Sequence, residues 1–202
     1  MEAVHKERLE EGIVLEIHQD DDPISPREND NLGTMVCWHQ QYALGDRQIK
    51  DGEYDSPAAI VADIVAREGE MAVMLPLYLY DHSGITMSTS DALFRAFDSA
   101  GWDWGKVGFI YVSKATVRKE YGGRATKEAI AKATEVLEAE VKEYDQCLTG
   151  DVYGFVIRNA TGEVLASCWG FFGFDLCLEE AKEQADYYVR QEKGPQPVLG
   201  VL

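Results

Sequence analysis

Apolar residues recur along the chain in two rhythms, a two-residue alternation and a three-to-four-residue repeat, and together these predict most of the elements. Gly12–Gln19 predicts a strand carrying Ile13, Val14, Leu15 and Ile17, and it runs into the charged, proline-broken segment Asp20-Asp21-Asp22-Pro23-Ile24-Ser25-Pro26. Gly33–Gln41 alternates Met35, Cys37 and His39 with Val36, Trp38 and Gln40, a second strand expected to pair with the first through the loop between them. Ser56-Pro57 starts a helix with a hydroxyl cap and a proline at its first position. Ile60, Val61, Ile64 and Val65 form its apolar stripe, and Gly69 ends it. Met71–Tyr80 is apolar at both parities, as a strand covered on both faces must be. Pro76 lacks the N–H a central strand uses, which places an edge or a bulge there. Asp81–Asp91 is polar and turn-rich, and Val107–Ser113 is a further strand.

The strongest periodicity covers residues 126–148, where Ile130, Ala133, Leu137, Val141, Tyr144 and Leu148 recur every three or four positions, the mark of a long helix. Val152–Ile157 and Val164–Trp169 predict a hairpin around Arg158-Asn159-Ala160-Thr161-Gly162-Glu163. A last helix from about Asp175 turns Leu178, Ala181, Ala185, Tyr188 and Val189 inward. The resulting order, β-β-α-β-β-α-β-β-α, predicts a single α+β domain over 1–202: a mixed, mainly antiparallel sheet with three helices packed on it. A mobile N-terminus (1–10) and a frayed or docked tail from Gly194, with Pro195 and Pro197, are expected at its ends.

Composition sharpens this. Hydrophobic residues make up 46% of the 202, enough for a sizeable core despite the charge. The longest apolar run has ten residues, against the roughly 20 needed to span a bilayer, so no membrane association is expected. With no signal-peptide core at the N-terminus, the expected location is the cytoplasm. Cys37, Cys147, Cys168 and Cys177 form no CxxC pair and predict free thiols, mostly buried, rather than disulfides or a zinc site. The net charge is −17, from 36 acids and 19 bases. Such a surface repels phosphate backbones, which argues against direct nucleic-acid binding and for a partner with a basic surface. Glu135, Glu138, Glu140, Glu143 and Asp145 are expected to present a carboxylate row on the long helix as the partner-binding face.

Several clusters are candidates for chemistry. The carboxylates after His18, above all Asp20, Asp22 and Asp30, together with Asp81 and His82, have the oxygen-rich character that a divalent cation wants, although no EF-hand spacing is present. The alternative to an interaction protein is therefore a divalent-metal-dependent enzyme or binding module using loops 18–31 and 81–91. Cys37 and His39 share a strand face, the minimum for a nucleophile pair, and a structural thiol beside a core or rim histidine is the better reading. Asp81-His82-Ser83-Gly84 holds the residue types of a hydrolase triad, but a turn explains it, and no catalytic residue is assigned. Trp102 and Trp104 point the same way if Gly101–Gly105 is extended, so the pair either packs in the core or anchors a ligand or partner. Gly122-Gly123 precedes a helix without the lysine of a phosphate loop and predicts a hinge.

Four stretches carry a resemblance: Ser25-Pro26-Arg27-Glu28-Asn29-Asp30-Asn31-Leu32-Gly33-Thr34-Met35, Asp81–Ser88, Val107–Ser113, and Asp151–Phe155 with Ser167–Phe171. They resemble a family of uncharacterised proteins carried by phages and mobile elements of bacteria, over about residues 12–174. Asn29 stands where the resemblance expects an aromatic, and Phe97–Gly105 departs from the usual pattern. By analogy with small acidic phage proteins, the resemblance implies an accessory factor in the bacterial host cell that binds, and inhibits, a nucleic-acid-handling defence protein.

Overall fold

A computed structural model describes residues 2–193; the tail expected from Gly194 lies outside the described residues. The fold is α+β with mainly antiparallel strands. The strands form two sheets rather than one, and the chain divides into two compact units, Ser25–Thr149 and a second built from both chain ends, Met1–Ile24 with Gly150–Leu202.

The unit built from the chain ends begins with β1 (His5–Arg8), in the segment expected to be mobile, and β2 (Val14–Gln19). After the other unit the chain returns as β8 (Val152–Arg158), β9 (Val164–Phe172) and α5 (Phe174–Glu192). The order β1-β2-β8-β9 is antiparallel throughout. Alternation decides its faces. Leu15, Ile17, Phe155 and Ile157 pack against Cys177, Ala181 and Ala185 of α5, whose small side chains let the helix approach the sheet closely.

The other unit holds β3 (Thr34–Cys37), β4 (Arg47–Gln48), α1 (Pro57–Glu68), β5 (Met71–Asp81), β6 (Ile85–Ser88), α2 (Ala92–Phe97), β7 (Trp104–Ser113), α3 (Lys114–Glu120) and α4 (Lys127–Thr149). Its sheet order is β4-β3-β7-β5-β6, with β3 and β4 the parallel pair. Helices cover both faces. On one, Ile110, Leu77 and Met35 meet Ala133, Leu137, Val141 and Tyr144 of α4; on the other, Phe109, Tyr111 and Val36 meet Ile60 and Ile64 of α1. That two-sided burial is why β7 is apolar at both parities. Gly108 is required there, since a Cβ would lie 2.3 Å from the Val36 carbonyl oxygen on the neighbouring strand.

The predicted pairing of the first two strands is corrected: β2 joins β1 and β8, whereas β3 joins β7 and β4, in a different sheet. The β2 register runs opposite Arg158 to Tyr153, so a partner more than a hundred residues away displaces the local one. At Pro76 β5 faces only β7, because β6 pairs with residues 78–81 alone, which leaves the missing N–H at an edge. Ser56 accepts a hydrogen bond from the Ala59 amide and Gly69 closes α1 with a φ of 83°, the caps its sequence predicts.

Candidate functional site

The carboxylate row expected on α4 does not form. Glu135, Glu138 and Glu143 are exposed, but Lys132 and Lys142 are exposed among them and break the negative field. Glu140 and Asp145 turn away from solvent because they border the apolar stripe of Leu137, Val141 and Tyr144. The Asp145 carboxylate accepts from the Thr86 hydroxyl at 2.7 Å and from the Met87 amide at 2.6 Å, tying β6 to the helix. Glu140 accepts from the Leu32 amide at 2.7 Å and also binds Arg27.

Arg27 organises the stretch Ser25–Met35. Its guanidinium donates to both Asp46 oxygens at 2.9 and 2.6 Å, to Glu140 at 2.9 Å and to the Gly33 carbonyl at 2.7 Å. The side chain is only 6% exposed. Burial opposes its charge, but the two carboxylates more than offset that and hold its pKa above the ordinary arginine value. The Asp46 carboxylate also accepts from the Met35 amide, and Asn31 donates to the Pro26 and Asn29 carbonyls. Residues 25–35 are thus a structural clip that fastens the loop entering β3 to α4.

The metal candidates do not assemble. Asp20 accepts from the Asp22 amide within its own loop, an Asx turn, while Asp30 is exposed in the other unit. Asp81 and His82 sit where β5 ends, and His82 pairs with Asp103 at 3.0 Å. Among the described residues no group of three or more His, Cys, Asp or Glu side chains is placed to hold a metal ion. The residues Asp81-His82-Ser83-Gly84 form the turn of the β5–β6 hairpin, with Ser83 at a φ of 61°.

The Cys37–His39 pair is absent as well. Cys37 lies buried against Gly45 and Gly108, and burial, with a smaller contribution from Asp46, pushes its thiol up to about 12. His39 accepts at Nδ1 from the Gln41 and Tyr42 amides, both at 3.3 Å, and stacks on the Tyr42 ring. With Nδ1 accepting, the neutral ring carries its proton on Nε2. Cys177 is likewise buried, whereas Cys147 is partly exposed and Cys168 exposed.

What the structure does bring together is a cleft of about 280 Å³ lined by His39, Leu79, Asp81, Trp102, Asp103, Trp104, Gly105 and Val107. Asp81 and Asp103 face each other across the β5–β7 ladder, with the Asp81 amide donating to the Asp103 carbonyl at 2.7 Å. Beside them Trp102 is 86% exposed. It rides on a braced loop: Asp98 accepts from the amides of Ala100, Gly101 and Asp103, and its carbonyl receives the Trp104 indole N–H. The Asp103 amide first, then those of Trp102, Gly101 and Ala100, outweigh desolvation and hold the Asp98 carboxyl below its ordinary value.

The preceding α2 is anchored inward by Phe94, stacked on Tyr80, and presents Leu93 and Phe97 outward at 67% and 79% exposure. Three large apolar side chains in ten residues thus face solvent from a rigid support. Sequence reasoning singled out Asp81, His82 and the two tryptophans separately but missed Phe97, Leu93 and Asp103; the i, i+4 spacing of Leu93 and Phe97 was the available signal. It also passed over the acids of α5, where Asp175, Glu179, Glu183 and Asp186 are exposed at helical spacing and make no ion pair among the described residues, with Lys182 and Arg190 exposed on the same side of the helix. The unit containing them holds 16 acids against 6 bases, a balance of −10, and the larger unit 20 against 13, a balance of −7.

No helix among the described residues is long and apolar enough to cross a membrane. Compared with protein-family models, with curated proteins and with solved structures, the chain finds no match in any of the three.

Proposed function

We propose that this is an interaction protein, a phage- or mobile-element-type accessory factor that binds a basic, nucleic-acid-handling protein of a bacterial host and inhibits it. The observation that carries this reading is the exposure of Trp102, Phe97 and Leu93 on a braced loop and a pinned helix, inside a chain of net charge −17. Leaving a tryptophan 86% in water on an ordered loop wastes its apolar area unless something covers it. Aromatic anchors of this kind supply most of the energy of a protein interface. The surrounding charge steers a basic partner in and repels nucleic acid competing for the same basic surface. In this reading the net negative charge contributes long-range attraction, and the α2–Trp102 region contributes the contact.

The test is capture from bacterial lysate with the full chain. A nuclease or another nucleic-acid-handling protein should be recovered, its activity should fall on addition of the chain, and binding should weaken at high salt. Trp102→Ala with Phe97→Ala should abolish capture without unfolding the protein. Capture unchanged in that double variant, or insensitive to salt, would sink the proposal.

A further inference from the structure

The cleft beside Trp102 has the chemistry of a socket for one cationic side chain. One residue beyond the Tyr80–Trp104 pair that ends the β5–β7 ladder, the Asp81 amide donates to the Asp103 carbonyl, which sets two carboxylates side by side, a placement that is repulsive for like charges unless a cation joins them. Each carboxylate keeps one oxygen without a partner among the described residues. Oδ1 of Asp81 receives the Tyr42 hydroxyl at 3.3 Å and Oδ2 of Asp103 meets His82, leaving Oδ2 of Asp81 and Oδ1 of Asp103. Burial first, then the Asp81 carboxylate, raises the Tyr42 pKa, so the phenol stays a donor rather than a second anion. Trp102 supplies an open indole face, and His39, with Nδ1 committed to its own loop, adds a flat aromatic wall.

We infer that this cleft binds a guanidinium, the side chain of an arginine on the partner. A guanidinium is planar, stacks on an aromatic face and forks its N–H groups to carboxylates, whereas an ammonium is a compact, strongly hydrated point charge. The molecule contains its own precedent for the stacking, since the Arg95 guanidinium lies 5.6 Å from the Trp104 ring centroid. The inference rests on the proposed function in taking the arginine from a basic partner, yet the socket can be tested without one.

Uniformly 15N-labelled full-length protein is titrated with N-acetyl-arginine methylamide, and separately with the lysine and citrulline analogues, following the Trp102 indole N–H and the Asp81 and Asp103 amides. The arginine probe should move these signals saturably, with a Kd on the order of millimolar, as expected for one small side chain. Citrulline, the neutral isostere, should move them at least tenfold more weakly, and lysine should fall between. Asp81→Asn with Asp103→Asn should weaken arginine binding at least tenfold. Equal binding of citrulline and arginine, or of lysine and arginine, overturns the assignment, as does the absence of a saturable shift. The probe comparison on the unaltered protein decides the matter even if the double variant does not fold. Failure of the socket with capture still dependent on Trp102 would leave the proposed function standing. A working socket with no captured partner would remove that function and keep the site.

Discussion

The unit Ser25–Thr149 contains two sets of paired carboxylates that differ in one respect. Asp46 and Glu140 enclose a buried arginine supplied by the chain itself, while Asp81 and Asp103, each with one oxygen engaged by Tyr42 or His82, line an open cleft. In the first, charges removed from water are compensated on every side, by one guanidinium and by backbone amides. In the second, the carboxylates remain partly solvated, with a tryptophan held beside them in water. The contrast separates two uses of the same chemistry. A compensated cluster fixes a loop, and a half-compensated one beside an exposed aromatic is available to something outside the molecule.

The comparison breaks most visibly at Arg27. Arg27→Ala leaves Asp46 and Glu140 without their cation, and the expected loss is about 3–5 kcal/mol, read from urea unfolding. Arg27→Lys should recover only part of it, because an ammonium cannot make the forked contact with Asp46. If Arg27→Ala costs less than about 1 kcal/mol, the clip is not structural.

The thiols mark the buried and exposed sides of the molecule. With a pKa near 12, Cys37 and Cys177 carry roughly one ten-thousandth of their population as thiolate at pH 8. Iodoacetamide at that pH should label Cys168 first, Cys147 more slowly, and Cys37 and Cys177 only on unfolding, as mass spectrometry of tryptic peptides would record. Early labelling of Cys37 would revive a nucleophilic role for it.

Smaller effects are expected at the open site. Trp102→Ala and Phe97→Ala should each change stability by no more than about 0.5 kcal/mol, the range for exposed positions, in a thermal melt. A larger loss would mean that these side chains are packed rather than presented. The loop bracing has a pH dependence of known sign. Asp98 has a folded pKa below its ordinary value, so its contribution is present above the unfolded pKa of 3.8 and is lost as the pH falls through the lower folded value. The Ala100 and Gly101 amide resonances should therefore hold their positions down to about pH 4 and move only below it; movement between pH 5 and 7 would contradict the bracing.

Much of this architecture was legible in the residues and some was not. The stripe of Ala133, Leu137 and Val141, the caps Ser56 and Gly69, and the strand at Val107–Ser113 read directly, because each is a local signal confirmed by local packing. His5–Arg8 and Ile85–Ser88 escaped notice as strands, the first because all four of its residues are polar and the second because four alternating residues beside a turn are too short a run to register. The expected β2–β3 pairing failed because register against β8 is set by a segment at the far end of the chain. At the site, the residue types drew attention to Asp81, His82, Trp102 and Trp104. Which of them share a cleft depends on the antiparallel register of β5 and β7, information absent from any single stretch. The α4 row misled because counting acids ignores which of them border the apolar stripe.

The sheet made from both chain ends has a consequence for synthesis. The strands β1 and β2 leave the ribosome before Ser25–Thr149, yet β8, β9 and α5, which cover Leu15 and Ile17, emerge after it. Ser25–Thr149 carries its own core and can fold as soon as it is made, which shortens the effective loop that the ends must later close. The segment holding β1 and β2 therefore waits, with its apolar side uncovered, until β8 and α5 have been made. A ribosome stalled before residue 152 would release a chain whose middle is sound and whose beginning is an invitation to aggregation.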